Sequence, residues 1–191
     1  MQIEDLKITS GPGEKGNTTD IWQAAQVGNL PAVVFYINQN SSNLNKPKEE
    51  DKYKITPLIS ATRYNHSKIV EYLLRRGADI DAVISNNKTA LTYASNLGFT
   101  TILKYLIRKG ANLNHQDLEN WTALHWAVWG NKLDTLKILI KNGADPNIEN
   151  QDGKTPLELA KQEGKTDMVK FLSSAPAKIL VNPSISESLV G

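Results

Sequence analysis

The sequence has no cysteine, which excludes disulfide bonds, thiolate metal sites and cysteine nucleophiles. It also lacks any apolar run close to the ~20 residues that a membrane-spanning helix requires. The opening residues, MQIEDLKITSGPGEKG, have no apolar stretch of the kind that a secretory signal peptide carries. These absences predict an intracellular protein, in the cytoplasm or the nucleus.

A strong excess of one charge is also missing, because 22 basic and 20 acidic residues leave a net charge of +2. Domains that bind nucleic acid are usually strongly basic, so we expect no nucleic-acid partner. No glycine-rich phosphate loop or nucleophile elbow is present, and His66, His115 and His125 show no metal-ligand spacing. We therefore expect no enzyme activity, catalytic residue, metal or cofactor.

What the sequence does contain is an internal repeat. A threonine followed by proline or alanine and then leucine recurs at a constant step, beginning at Thr56, Thr89, Thr122 and Thr155. Two further markers keep the same step of thirty-three residues: Ala61, Ala94, Ala127 and Ala160, and then Gly77, Gly110 and Gly143. Three markers in phase indicate a repeat architecture in which neighbouring units share one core.

Each unit has the pattern of two short helices. The threonine is a good N-cap, and Pro57 and Pro156 suit the first helical position that follows it. Apolar pairs at helical spacing then mark a second helix, which a glycine ends. Between the helices Gly98 is matched by Asn65 and Asn131, and asparagine tolerates left-handed geometry, so we expect these turns to hold.

This pattern resembles the ankyrin repeat family, and its best copy is Thr122-Ala123-Leu124-His125-Trp126-Ala127 with Gly143-Ala144-Asp145. The resemblance covers about residues 18–174. It implies an all-α solenoid of about five helix-turn-helix units with β-hairpin-like loops. The histidine of the family motif is Ile59, Thr92 and Glu158 in the other copies, so only His125 is expected to make the local hydrogen bonds of the family.

The predicted organisation is a flexible N-terminal tail at residues 1–17, the repeat domain at 18–174 and a C-terminal tail at 175–191. Within the domain, the units are about 18–50, 51–83, 84–116, 117–149 and 150–174. The first and last units are degenerate, as terminal capping units are. The loop from Ser41 to Lys54 is longer than its counterparts and rich in polar residues, which predicts an extended, solvated segment.

The resemblance implies a monomer that binds another protein through a concave face, which the hairpin tips and the first helices line. The partner-binding residues predicted at those positions are Tyr53, Ile55, Arg63, Tyr64, Leu97, Leu118, Glu119, Trp121 and Trp129. Trp121 and Trp129 are the expected exposed anchors, since binding hot spots are rich in tryptophan. Trp126 is expected to pack between units instead.

A basic ladder, consisting of Arg75, Arg76, Arg108, Lys109 and Lys141, marks the ends of the second helices. Cations there complement the negative end of the helix dipole, which is sufficient reason for them. They could also contact anionic lipid or an acidic partner surface. Three alternatives stay open: a free-standing adaptor or regulatory subunit, the targeting domain of a larger enzyme or membrane protein, and peripheral membrane association through the ladder.

Overall fold

The computed structural model describes residues 20–174, which form ten α-helices in five consecutive pairs. The helices are α1 (Ile21–Val27), α2 (Leu30–Gln39), α3 (Pro57–Arg63), α4 (Ser67–Arg75), α5 (Ala90–Leu97), α6 (Thr100–Arg108), α7 (Ala123–Trp129), α8 (Leu133–Lys141), α9 (Pro156–Gln162) and α10 (Thr166–Ser174). This confirms the all-α repeat solenoid. The tails predicted at residues 1–17 and 175–191 lie outside the described residues.

The first helix of each later pair begins at the expected threonine, and its first turn is tied back to that cap. Thr92 Oγ1 accepts a hydrogen bond from the Thr89 N–H at 3.4 Å, and the Glu158 carboxylate accepts one from the Thr155 N–H at 2.8 Å. The expectation that only His125 makes this local bond is therefore wrong. Any side chain with an acceptor at the third helical position can reach the free N–H of the cap. The Thr155 N–H and hydroxyl also hold the pKa of the Glu158 carboxyl below its ordinary value.

The turn between the two helices of a pair adopts the predicted left-handed geometry. Gly98 has φ of 80°, and Asn65 and Asn131, which replace glycine at this position, have φ of 62° and 54°. The prediction that asparagine preserves the turn is confirmed. A short side chain that can bond locally lowers the cost of a positive φ enough for the helix pair to close.

Stacking of the pairs produces the core and the curvature. The alanines of the first helices are fully buried: Ala24, Ala61, Ala94, Ala127 and Ala160. Because these side chains are small, consecutive first helices approach closely, whereas consecutive second helices make fewer contacts with each other. The array therefore curves with the first helices on its concave side. Leucines from both helices fill the space between, each burial contributing roughly 1.5–3 kcal/mol.

Between pairs the chain forms hairpin-like loops, here called fingers, at residues 51–55, 84–88, 117–121 and 150–154. Consecutive fingers are joined by backbone bonds in which an N–H of one finger donates to a carbonyl of the preceding finger: Ser85 to Tyr53 (2.9 Å), Leu118 to Asn86 (3.3 Å) and Gln151 to Glu119 (3.0 Å). The fingers thus form one continuous hydrogen-bonded row beside the first helices.

The loop from Ser41 to Lys54 is less extended than its composition suggested. A 3₁₀ helix occupies Ser41–Leu44, and the Trp22 indole N–H donates to the Lys46 carbonyl at 3.0 Å. Lys48 also pairs with Asp20 at 3.2 Å. These two contacts tie the loop to the first helix pair.

Candidate protein-binding site

Three tryptophans of the fourth unit form an aromatic cluster on the concave side. The Trp121 ring lies 4.8 Å from that of Trp126 and 5.8 Å from that of Trp129, the latter in an edge-on arrangement. Trp129, the last residue of α7, is 52% exposed. Trp129 therefore presents an open indole that packs against Trp121, which in turn packs against Trp126.

Asp117, a residue that the sequence analysis missed, fixes this cluster. Its Oδ1 accepts from the backbone N–H groups of Glu119 and Trp121 at 3.0 and 2.9 Å. Its Oδ2 accepts from the Trp126 indole N–H at 2.9 Å. A single buried carboxylate thus shapes the finger and orients an indole. The repeat step could have revealed it, since Asn150 lies at the same position of the next unit.

Gly130 allows the end of α7, where Trp129 lies, to pack closely against the end of α5. A Cβ atom on Gly130 would lie 2.1 Å from the backbone carbonyl oxygen of Asn96. Only glycine allows this close approach of the end of α7 to the end of α5. Leu97 and Trp129 are the last residues of α5 and α7, and both are exposed, so two predicted contact residues from adjacent units lie at neighbouring helix ends.

Cations pack against the aromatic side chains along the same face. The Lys88 ammonium lies 3.7 Å from the centroid of a Trp126 ring, and the Arg63 guanidinium lies 5.4 Å from that of Tyr93. Burial raises the pKa of the Tyr93 phenol, and the nearby Arg63 charge opposes this effect. Lys88 and Tyr93 were not predicted, although Tyr93 precedes Trp126 by one repeat step. Lys88 and Arg63 thus place two cations on this surface, where a partner carboxylate can approach them.

The other predicted contact residues divide into two exposed rows. Tyr53, Leu118 and Glu119 are exposed on the fingers, where Leu118 reaches 62%. Tyr64 and Leu97 are exposed at the ends of α3 and α5. The first unit adds one exposed side chain that the analysis missed, Val27 of α1, at the position equivalent to Tyr64. The exposed row at the ends of the first helices thus consists, in chain order, of Val27, Tyr64, Leu97 and Trp129.

Two predictions about this surface need correction. Ile55 is only 9% exposed and belongs to the core, because the finger turns that side chain inward, while its carbonyl accepts from the Lys48 N–H. It cannot contact a partner. Trp121 is partly buried against the core and Trp126, since its N–H is held by Asp117 close to the base of the finger. Trp121 therefore packs against Trp126 and Trp129 within the site and is not the exposed anchor that was predicted.

The basic ladder lies on the opposite side, at the ends of the second helices. All five of its side chains are exposed. Exposure is compatible both with complementing the helix dipole and with contacting an anionic surface. Arg75 pairs with Glu71 at 2.8 Å, and the Arg76 and Arg108 guanidinium groups lie over Tyr72 and Tyr105.

The histidines are engaged in backbone contacts. His66 Nε2 lies 2.8 Å from the Gln26 carbonyl, and His115 Nε2 lies 2.8 Å from that of Asn87. Residues 20–174 contain no group of three or more His, Asp or Glu side chains that could hold a metal ion. Across the same residues, every helix is too short or too polar to cross a bilayer.

Comparison with known proteins agrees with this architecture. A family profile described as "Ankyrin repeats (3 copies)" matches residues 5–84, 77–150 and 101–183. The ankyrin repeat protein FPV230 of fowlpox virus is 51% identical over 63 residues, which are 33% of this chain and 31% of that protein. The ankyrin repeat-containing protein P1E11.10 of Schizosaccharomyces pombe is 39% identical over 80 residues, 42% of this chain and 37% of its own. The chain thus spans about a third of the length of these relatives.

Proposed function

The chain belongs to the ankyrin repeat family, and on that premise we propose that it is an adaptor or regulatory module that binds a protein partner through its concave face. Ankyrin repeats are generally modules for protein–protein interaction and typically have no enzymatic role. The observation that carries the proposal is the aromatic cluster, in which the half-exposed Trp129 packs against Trp121, which in turn packs against Trp126.

The composition of this face supports a protein partner. Hot spots are rich in tryptophan, tyrosine and arginine and cluster near the centre of an interface. The concave face offers these types at Trp129, Tyr64, Tyr53 and Arg63, with the polar fifth unit at one border. An indole that is already held in place loses little conformational entropy on binding, which favours affinity.

The rest of the proposal rests on composition and on the family resemblance. We propose an intracellular, monomeric protein without catalytic activity or cofactor, and the net charge of +2 gives no support for a nucleic-acid partner. A second candidate is that the chain is the targeting domain of a larger protein. An antibody against the chain that detects an endogenous product well above 21.1 kDa would favour the second candidate.

The test is quantitative affinity capture with wild type and Trp129→Ala, followed by titration of the captured protein. Gln162→Ala is the matched control, because Gln162 is exposed at the same position of the fifth unit. We expect Trp129→Ala to weaken binding by about 2 kcal/mol or more, the scale of a hot spot, which is roughly thirtyfold in Kd. Gln162→Ala should bind like wild type. Equal affinity of Trp129→Ala for every captured protein would reject the concave face as the site.

A further inference from the structure

A groove opens on the outer side of the array, between the second helices α6 and α8. It has a volume of about 580 Å³ and is lined by Thr101, Lys104, Ile107, Arg108, Ile138, Lys141 and Asn142. Two isoleucines contribute its apolar floor and three cations surround them. None of the lining residues is acidic, so the groove combines apolar surface with unopposed positive charge.

The repeat explains why the groove opens here. Ile138 occupies a position that is aromatic in the other later units, where it is Tyr72, Tyr105 and Phe171. In the last of these, the ammonium of Lys137 lies 5.9 Å from the ring of Phe171 in the next helix. Lys104 is the equivalent of Lys137, but Ile138 gives it no ring to pack against. The space that an aromatic side chain fills elsewhere is therefore vacant between α6 and α8.

Lys104 also lacks the acidic partner that its position has in the second unit. The equivalent residue there is Glu71, which pairs with Arg75 at 2.8 Å. In α6 the corresponding pair is Lys104 and Arg108, two cations four residues apart, an arrangement that is mildly destabilising in a helix. Neither side chain has an ion pair within residues 20–174. The helix dipole accounts for a cation at the end of α6 but not for Lys104 in its middle.

We infer that this groove is a second binding site, separate from the aromatic face, which takes an acidic segment of a partner protein that carries an aromatic side chain. The aromatic ring fills the space above Ile138 and packs against Lys104, as Phe171 does with Lys137. Carboxylates on either side of the ring pair with Arg108 and Lys141. A protein segment suits the groove better than a lipid surface. The large exposed apolar side chains of residues 20–174 lie on first helices, fingers and loops, so the outer side has none to insert into a bilayer.

Two variants test the groove, and each introduces a residue that another unit of the chain carries at the equivalent position. Lys104→Glu copies Glu71 and should pair with Arg108 as Glu71 pairs with Arg75. Ile138→Phe copies Phe171 and should fill the groove from within. The second helices of other units already carry these residues at the equivalent positions, so we expect the melting temperature of each variant to equal or exceed that of wild type. Lys68→Glu is the charge-matched control, because α8 carries Asp134 at the equivalent position.

The probe is a fluorescein-labelled peptide with one phenylalanine flanked by glutamates, measured by fluorescence anisotropy at low salt. Versions with alanine for phenylalanine, or with glutamine for glutamate, should bind more weakly. Because a like charge facing the ligand costs several kcal/mol, Lys104→Glu should raise Kd by at least about tenfold, and Ile138→Phe should do so by occupying the groove. Lys68→Glu and Trp129→Ala should bind the peptide like wild type.

Three outcomes overturn the inference. The first is equal affinity of the peptide for wild type, Lys104→Glu and Ile138→Phe when circular dichroism shows all three folded. The second is equal binding of the glutamate and glutamine peptides. The third is Lys104-dependent binding to phosphatidylserine vesicles without binding of the peptide, which would make the groove a lipid-headgroup site. Loss of the concave-face partner in Trp129→Ala is independent of all three, so the two proposals can fail separately.

Discussion

At the scale of single residues, His125 shows how one buried side chain joins two units. Its Nδ1 accepts from the Thr122 N–H at 3.2 Å, and its Nε2 lies 2.9 Å from the Lys154 carbonyl of the next finger. A carbonyl only accepts, so Nε2 carries the proton and Nδ1 is bare. The neutral imidazole is therefore the form that the fold requires, and burial lowers the pKa of His125 below its ordinary value of 6.5.

This protonation state makes stability depend on pH. Because the folded pKa is lowered, the unfolded chain takes up a proton first as the pH falls, and the stability linked to His125 is complete above 6.5 and lost below it. We expect the free energy of unfolding by urea to be level from about pH 8 to about pH 7 and to decrease as the pH falls further to about 5.5, through the ordinary range of histidine.

His125→Thr is the matched control for this titration, because Thr92 holds the equivalent position and its hydroxyl accepts the same cap bond. The variant should be less stable at every pH, since it removes the bond from the imidazole to the Lys154 carbonyl, which then keeps only the Asn150 N–H as a donor. Its free energy of unfolding should vary less than that of wild type across this pH range. An identical pH dependence in both proteins would show that His125 is not the titrating group.

At the scale of one element, the finger at residues 117–121 depends on the two oxygens of Asp117. Asn150 holds the corresponding place in the fifth unit, and its Oδ1 accepts from the Asp152 and Lys154 N–H groups, both at 3.0 Å. Asp117→Asn should therefore keep the finger turn. It replaces Oδ2 with an amide nitrogen, which cannot accept from the Trp126 indole N–H.

We expect Asp117→Asn to lower the free energy of unfolding by about 1 kcal/mol, the lower end of the cost of leaving a buried donor unpaired, because Trp126 is only partly buried. The tryptophan fluorescence of the folded protein should change as Trp126 loses its partner. Asp117→Ala, which also removes the two turn bonds, should cost more and should weaken capture of the concave-face partner. If Asp117→Asn melts like wild type, the indole bond contributes nothing to stability.

The sequence predicted the helices well because the repeat step locates each helix from several copies at once. The fingers were harder, because a side chain there turns inward or outward according to hairpin register, which no helical periodicity reveals. Ile55 and Trp121 were therefore predicted to be exposed, although the structure buries Ile55 and partly buries Trp121. The groove above Ile138 was missed for a related reason, since it depends on a ring that is absent rather than on a residue that is present.

At the scale of the whole molecule, stability comes from contacts between adjacent units. Each pair packs mainly on its neighbours in the stack, so an end unit has one stabilising interface where an inner unit has two. The contribution of α10 to the buried core is correspondingly small: Met168 is its one buried residue, whereas α8 buries Thr135, Leu136, Leu139 and Ile140. Opening should begin at the ends of the array.

Met168→Ala and Leu139→Ala, both truncations of fully buried side chains, should therefore act over different distances. Each removes about 2–5 kcal/mol of packing locally. Loss of Met168 weakens the interface of a unit with no neighbour beyond it among the described residues, so α9 and α10 should exchange amide hydrogens faster while α4, α6 and α8 keep their protection. Loss of Leu139 breaks the array in its middle, and exchange should accelerate on both sides of α8. Mass spectrometry of peptic fragments distinguishes these patterns. Uniform acceleration in Met168→Ala would mean that the units unfold as a single cooperative block, and that inner and outer units are equally stable.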